Sequence, residues 1–257
     1  MPERSSTTGA QLTAGKYPPS LHTMDVENCA RQCLNTLEAL TEWLASAVEK
    51  QCSLWQTKKG LTDAPPVQLE LYYESRCPDC RQYIQNQLFP TWQKIGDSGI
   101  LNLTLVPYGN AQEQQYDGQW YFTCQHGATE CLGNLIETCA LNFYAMPQAF
   151  RFISCLEYYG PTLTNAEYCA SMQSLDYSKI ETCTQSKAGN DMEHQMALKT
   201  NALNPPHRYV PWFVLNGVHT RQIQNEVTSN TLGVVCDTYT GPKPAGCATL
   251  PKACSRE

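Results

Sequence analysis

VQLELYYESRCPDC, residues 67–80, is the stretch that decides the fold. Apolar and polar side chains alternate from Val67 to Tyr73, and this period of two predicts a β-strand that ends just before two cysteines. Apolar residues then recur at helical spacing, with a bend expected near Pro90, and residues 100–106 predict a second strand. Strand, helix and strand in this order form a βαβ unit with two parallel strands.

Three further segments precede or follow this unit. Residues 1–24 are rich in Ser, Thr, Gly and Pro and predict a disordered leader, whereas residues 25–66 predict a helical, cysteine-containing extension that ends in a linker. Residues 67–257 make up the predicted main domain. A helical segment without a clear strand is inserted into this domain at about residues 110–200. It is rich enough in cysteine to be stapled by disulfides. The predicted fold class is therefore α/β.

Composition excludes several function classes. The chain has 257 residues, a formal net charge of −6 and no basic run longer than Lys58-Lys59, so we expect no nucleic-acid partner. No stretch approaches the roughly 18 apolar residues that a membrane span needs. The sequence also lacks a G-x-G-x-x-G fingerprint, and we expect neither a flavin or nicotinamide cofactor nor a metal.

The cysteines indicate an oxidising compartment. There are 14 of them, spread from Cys29 to Cys254, which favours a chain in which most thiols are paired. Asn102-Leu103-Thr104 is a glycosylation sequon on the polar face of the second predicted strand, so Asn102 is a candidate glycosylation site. Residues 1–24 contain no apolar segment typical of a secretory signal, and we expect that such a signal has been removed.

Cys77 and Cys80 are the candidate catalytic residues. Cys77 lies between a strand and a helix, where it can cap the helix with Pro78 at the first helical position. Its sulfur then faces unpaired backbone N–H groups, which stabilise a thiolate over a thiol. Cys77 is therefore the predicted nucleophile, and Cys80, one turn later and more shielded, is the predicted resolving thiol.

Charged neighbours modify this expectation, and a structural interpretation competes with it. Arg76 and Arg81 should favour the Cys77 thiolate, whereas Asp79 should oppose it. Alternatively the cysteine pair forms a structural disulfide or half of a zinc site, whose second half would be Cys124 with His126.

Pro211 and Val210 are the candidate substrate-binding residues. Pro211 begins an apolar run that predicts a strand, at the place where redox folds of this class hold a cis-proline beside the cysteine pair. Backbone groups next to it would then bind an extended substrate chain. An ordinary trans-proline at a strand edge is the alternative. The run ends in Asn216-Gly217, which predicts a β-hairpin.

A longer motif occupies residues 124–139: Cys-Gln-His-Gly, two residues, Glu-Cys, two residues, Asn, four residues, Cys. It could be a metal cluster, a second redox site or a disulfide-stapled loop. The cysteine spacings fit no close redox pair, which favours the stapled loop.

This motif resembles the signature of the gamma-interferon-inducible lysosomal thiol reductase family. The resemblance extends from about Val67 to Cys254 and includes LYYE at residues 71–74, LVPYGNA at residues 105–111 and YVPW at residues 209–212. It leaves residues 1–60 outside.

The resemblance implies a thioredoxin-like fold with a helical insertion, and reduction of disulfide bonds in protein substrates inside acidic lysosomes or endosomes. It carries the catalytic role onto Cys77 and Cys80 and none onto His126 and Glu130. A small thiol such as cysteine or glutathione would recycle the enzyme. One disulfide between the extension and the main domain is the simplest account of the odd number of cysteines in each, and free thiols or an intermolecular disulfide fit equally well.

Two other functions use the same residues. The pair could drive disulfide oxidation or isomerisation, because the direction depends on its reduction potential relative to the compartment. The chain could also be a secreted, disulfide-stapled binding protein in which Cys77 and Cys80 are structural.

Overall fold

The computed structural model describes residues 64–248. The predicted leader, most of the extension and its proposed disulfide to the main domain lie outside these residues. In chain order the strands and helices are β1 Val67–Tyr73, α1 Pro78–Tyr83, α2 Phe89–Ile95, β2 Leu101–Pro107, β3 Gln112–Tyr116, β4 Gln119–Thr123, α3 Ala128–Phe143, α4 Met146–Tyr159, α5 Leu163–Met172, α6 Tyr177–Thr184, α7 Lys187–Asn201, β5 Trp212–Leu215 and α8 Arg221–Thr238.

β1 is the central strand of a three-stranded sheet in the order β2-β1-β5. It pairs in parallel with β2, with Val67 opposite Leu101, and antiparallel with β5, with Tyr72 opposite Trp212. The alternating apolar residues of β1 are buried, as the sequence pattern predicts. The βαβ unit, followed by β5 and α8, confirms the α/β, thioredoxin-like fold.

The helix between β1 and β2 is irregular before Pro90. A π-helical turn, Ile84–Leu88, joins α1 to α2, and the Phe89 N–H donates to the carbonyl of Ile84 five residues earlier. Pro90 has no N–H to donate to the preceding turn, so a local departure from regular α-helix is expected there.

The predicted insertion begins with a hairpin, which corrects the expectation that this region has no strand. β3 and β4 pair antiparallel, with Gln112 opposite Thr123. Their turn is Asp117-Gly118, and both residues have positive φ, 51° and 74°. Asp-Gly is a strong hairpin signal, but the strands beside it, the glutamine-rich β3 and the aromatic β4, show no clear apolar alternation.

The helices after this hairpin are stapled by disulfides, as predicted. Cys139–Cys183 joins α3 to α6, and Cys155–Cys169 joins α4 to α5. Trp92 of α2 packs edge-on against Phe150 of α4, with ring centroids 5.5 Å apart. The insertion therefore shares its apolar core with the βαβ unit.

The hairpin predicted at Asn216-Gly217 is only partly present. Both residues have positive φ and form the turn, but the returning strand is reduced to one bridge between Leu215 and Val218. The chain then enters α8, which a disulfide between Cys236 and Cys247 ties to the following segment. Among the described residues, no helix is both long and apolar enough to cross a membrane.

Candidate active site

Cys77 caps α1, as its position in the sequence predicts. Its backbone is extended (φ −66°, ψ 121°), Pro78 follows at the start of the helix, and its Sγ accepts the N–H of Cys80 at 3.4 Å. Cys77 and Cys80 are free thiols, whereas the other cysteines of residues 64–248 form four disulfides. The two thiols therefore differ in state from every other cysteine in this region.

The pKa values of the two thiols are shifted in opposite directions. The pKa of Cys77 is lowered, chiefly because the Cys80 side chain donates a hydrogen bond to it, and the backbone N–H groups of Cys80 and Asp79 lower it further against the effect of burial. Burial raises the pKa of Cys80 well above its usual value, and so does the neighbouring Cys77 sulfur. Of the two thiols, Cys77 is thus the one that loses its proton more readily.

Arg81 contacts the insertion rather than the cysteine that it was expected to support. Its Nε donates to the carbonyl of Glu157 at 2.6 Å, and its Nη2 donates to the carbonyl of Tyr158 at 3.1 Å. The Cys77 thiolate is stabilised mainly by Cys80 and the helix N-terminus. Arg81 instead links α1 to the end of α4.

Val210 and Pro211 lie beside the cysteines. The peptide bond between them is cis, as predicted, and the carbonyl of Val210 is 3.9 Å from Cys77 Sγ. Next to them is a groove of about 590 Å³, whose lining includes Asp79, Gln82, Tyr209, Val210 and Pro211. An extended chain lying in this groove would pass close to the Cys77 sulfur.

The long motif holds one complete disulfide and half of another. Cys124 pairs with Cys131, and Cys139 pairs with Cys183, so the motif is a stapled loop that is not closed by Cys139. The zinc alternative that used Cys124 with His126 is wrong, because a sulfur in a disulfide offers no thiolate to a metal.

The same motif supports the loop that leads to Cys77. The Ser75 N–H donates to Asn134 Oδ1 at 2.9 Å, and Ser75 Oγ donates to the carbonyl of Glu130 at 3.1 Å. A Cβ on Gly133 would lie 2.3 Å from Ser75 Oγ, so only glycine allows this close approach. The role of Asn134 has no signal in the local sequence, because its partner Ser75 lies 59 residues away along the chain.

His126 lies between two buried carboxylates, Glu74 and Glu130. Its Nδ1 contacts the Glu130 carboxylate and is 3.4 Å from Glu74 Oε2. The hydrogen bond to Glu130 is the main cause of the raised pKa of His126. These three residues could offer three ligand atoms to a metal, but here they form hydrogen bonds and ion pairs with one another.

A thioredoxin-like sheet with a free Cys-x-x-Cys pair at the start of its first helix defines a thiol–disulfide oxidoreductase. The sequence model described as gamma interferon inducible lysosomal thiol reductase (GILT) matches residues 68–187. The gamma-interferon-inducible lysosomal thiol reductase of Carassius auratus is 42% identical over 234 residues, covering 90% of this chain and 84% of that protein. The chain belongs to this family, and it is a disulfide-reducing enzyme.

Two further proteins are similar to the chain. The gamma-interferon-inducible lysosomal thiol reductase of Mus musculus is 39% identical over 195 residues, which cover 75% of this chain and 76% of that protein. The crystal structure of oxidised BdbD from Bacillus subtilis is 14% identical, with a TM-score of 0.49 over 65% of this chain and 88% of that one.

The Carassius match corrects one expectation. A match to 90% of the chain is longer than the segment from Val67 to the C-terminus, so it includes part of residues 1–60. At least part of residues 1–60 therefore has a counterpart in the Carassius protein.

Proposed function

We propose that the protein reduces disulfide bonds of protein substrates in acidic lysosomes or endosomes, with Cys77 as nucleophile and Cys80 as resolving thiol. The observation that carries this proposal is a pair of free thiols at one helix N-terminus, where the Cys80 N–H lies 3.4 Å from Cys77 Sγ; the lowered pKa of Cys77 and the raised pKa of Cys80 agree with it. At acidic pH an ordinary thiol is almost fully protonated, so only a thiol with a lowered pKa is an effective nucleophile.

The reaction proceeds through a mixed disulfide. The Cys77 thiolate attacks one sulfur of the substrate disulfide, which breaks that bond and releases one substrate thiolate. Cys80 then loses its proton and attacks Cys77 Sγ, which releases the second substrate thiolate and leaves a Cys77–Cys80 disulfide. Both substrate thiolates take up protons, and two electrons have passed from the enzyme to the substrate.

A small thiol such as cysteine or glutathione then restores the reduced enzyme, without a bound cofactor. Val210 and Pro211 are proposed to bind the substrate chain, because the Val210 carbonyl adjoins the Cys77 sulfur at one side of the groove. Asn102 remains a proposed glycosylation site. Its side chain is exposed on β2, which leaves room for a glycan.

Trapping the intermediate tests the mechanism. A Cys80→Ser variant incubated with a disulfide-bonded protein at about pH 5 should accumulate a covalent adduct on Cys77, identified by non-reducing mass spectrometry. The matched Cys77→Ser variant should form no adduct and should have lost reductase activity. Full activity in Cys77→Ser, with an unchanged circular dichroism spectrum, would overturn the catalytic assignment.

A further inference from the structure

Two buried glutamates of the insertion lie behind the cysteine pair. Glu137 of α3 is fully buried and Glu157 of α4 is 1% exposed. The Tyr73 hydroxyl donates to Glu137 Oε2 at 2.5 Å, and Arg81 Nε lies 3.7 Å from Glu157 Oε2. The mechanism described above uses neither carboxyl group.

Most of their oxygens lack a hydrogen-bond donor. Glu137 Oε1 and both carboxyl oxygens of Glu157 are buried without one. Each carboxyl group nevertheless acts on the pKa of the other, so the two lie close together, and a buried carboxyl group without donors is favoured in its protonated form. The arrangement therefore requires at least one proton on the pair, since two unshielded buried carboxylates would be very costly.

Titratable groups face this pair from three elements: Tyr73 of β1, Cys77, Cys80 and Arg81 at α1, and Glu193 of α7. Burial raises the pKa of Glu137 to about 7 and that of Glu157 well above its usual value. A negative charge on Cys77 raises the pKa of Glu157 further, and a charge on Glu157 raises that of Cys80. The protonation of the pair is thus coupled to the charge on the cysteines.

We propose that the Glu137–Glu157 pair takes up a proton when the Cys77–Cys80 disulfide is reduced and releases it when the disulfide forms again. This inference rests on the proposed function, because it requires these two cysteines to cycle between dithiol and disulfide. The physical cause is charge: reduction creates a thiolate in a buried site, and protonation of the pair removes one negative charge beside it.

The electrons and protons balance for a small-thiol reductant. Two thiols become one disulfide and deliver two electrons, which break the Cys77–Cys80 bond. Of their two protons, one goes to the Cys80 sulfur and the other to the carboxyl pair, while Cys77 remains a thiolate. The site carries one negative charge before the reaction, on the pair, and one after it, on Cys77.

This coupling changes the pH dependence of reduction. If the glutamate pair took up no proton, each reduction of the Cys77–Cys80 disulfide would release one proton to water. The equilibrium constant for its reduction by a small thiol would then rise tenfold per pH unit, as long as the pH is below the pKa of that thiol. Around neutral pH we expect the pair to carry one negative charge in the oxidised enzyme and to be fully protonated in the reduced enzyme. Over this range the equilibrium constant for reduction should therefore be nearly independent of pH. A tenfold difference corresponds to about 30 mV in this two-electron couple.

Two measurements on the full chain test the inference. Infrared difference spectra of the reduced minus the oxidised wild-type protein at neutral pH should gain a protonated-carboxyl C=O band. Equilibration with glutathione between about pH 6 and 8 should give the flat dependence in wild type and the tenfold rise per pH unit in Glu157→Gln. Glu226→Gln is the control, because Glu226 is exposed on α8 and is not one of the groups that face the pair, and it should keep the wild-type slope.

The outcomes separate the two proposals. A wild-type protein whose Cys77–Cys80 pair cycles, as counted by thiol titration, but gains no carboxyl band would overturn this inference alone. A pair that cannot be cycled at all would overturn the proposed function. If Glu157→Gln does not fold, Glu137→Gln replaces it, and the wild-type spectrum needs no variant.

Discussion

The loop that carries Cys77 and the helical insertion both bury acidic side chains, but the pKa values of these side chains are shifted in opposite directions. In the loop the pKa of the buried Cys77 is lowered, first by the hydrogen bond from the Cys80 side chain and then by backbone N–H groups. In the insertion, burial raises the pKa of Glu137 to about 7 and that of Glu193 to about 8.

Hydrogen-bond donors, rather than burial, account for this difference. Cys77 caps a helix, so a thiol and several backbone N–H groups converge on its sulfur. Glu137 accepts from the hydroxyl of Tyr73, and Glu193 accepts from the hydroxyl of Thr138 at 2.7 Å. A single neutral donor does not compensate a buried carboxylate, so these glutamates hold protons while Cys77 loses one.

The largest expected effect is on stability as a function of pH. Glu137 and Glu193 keep their protons in the folded domain up to about pH 7 and 8 but lose them near pH 4.5 when unfolded, so the folded state binds more protons in this range. Stability should therefore fall as pH rises, by about 1.4 kcal/mol per pH unit for each such carboxyl. Urea unfolding at about pH 5, 6 and 7 measures the slope.

The matched variants for this prediction are Glu193→Gln and the exposed Glu226→Gln. Glu193→Gln should remove about one carboxyl's share of the slope, whereas Glu226→Gln should leave the slope unchanged. Stability that increases from pH 5 to pH 7 would contradict the assignment of buried protonated glutamates.

Removing a disulfide from the insertion should have the next largest effect. Cys139–Cys183 closes a loop with a sequence separation of 44 residues. Changing both cysteines to serine should lower the free energy of unfolding by about 4 kcal/mol in the chain-entropy model. The Cys77→Ser/Cys80→Ser double variant removes free thiols and closes no loop, so it should lose far less stability; similar losses in the two proteins would remove the contrast between the regions.

Asn134→Ala should break the support that the insertion gives to the loop. It leaves the buried Ser75 N–H without its partner, which should cost about 1–3 kcal/mol in urea unfolding. Asn142→Ala is the control, because Asn142 is in the same helix but its amide donates to Thr138 at a partly exposed site. Equal effects of the two changes would argue against a specific role for Asn134.

Cys80→Ala should produce the smallest change, a several-fold slower alkylation of Cys77 by iodoacetamide at about pH 5. The variant removes the side-chain hydrogen bond that contributes most to the lowered pKa of Cys77, so less thiolate is present at acidic pH. The rates should converge at alkaline pH, where Cys77 is fully ionised in both proteins. Asp79→Asn keeps the backbone N–H and should not slow the reaction.

Much of the fold and part of the site could be predicted from local sequence. The period of two gave β1 and β2, the helical spacing gave the helix between them, and the strand-to-helix position of Cys77 gave its role as a cap. The β3–β4 hairpin was missed, although Asp117-Gly118 signals it, because neither of these short, largely exposed strands has a clear apolar alternation in its sequence.

The sequence by itself determined the elements whose pattern lies within a few residues, together with the family, whose signature is local. Only the tertiary structure decided which cysteines pair, and which of the many glutamates are buried. Tyr73 meets Glu137, Ser75 meets Asn134 and Arg81 meets Glu157 across long stretches of chain. From the sequence, a charged residue on a helix is predicted to be solvent-exposed. Only the tertiary structure shows that it is buried, because burial depends on contacts that no local pattern encodes.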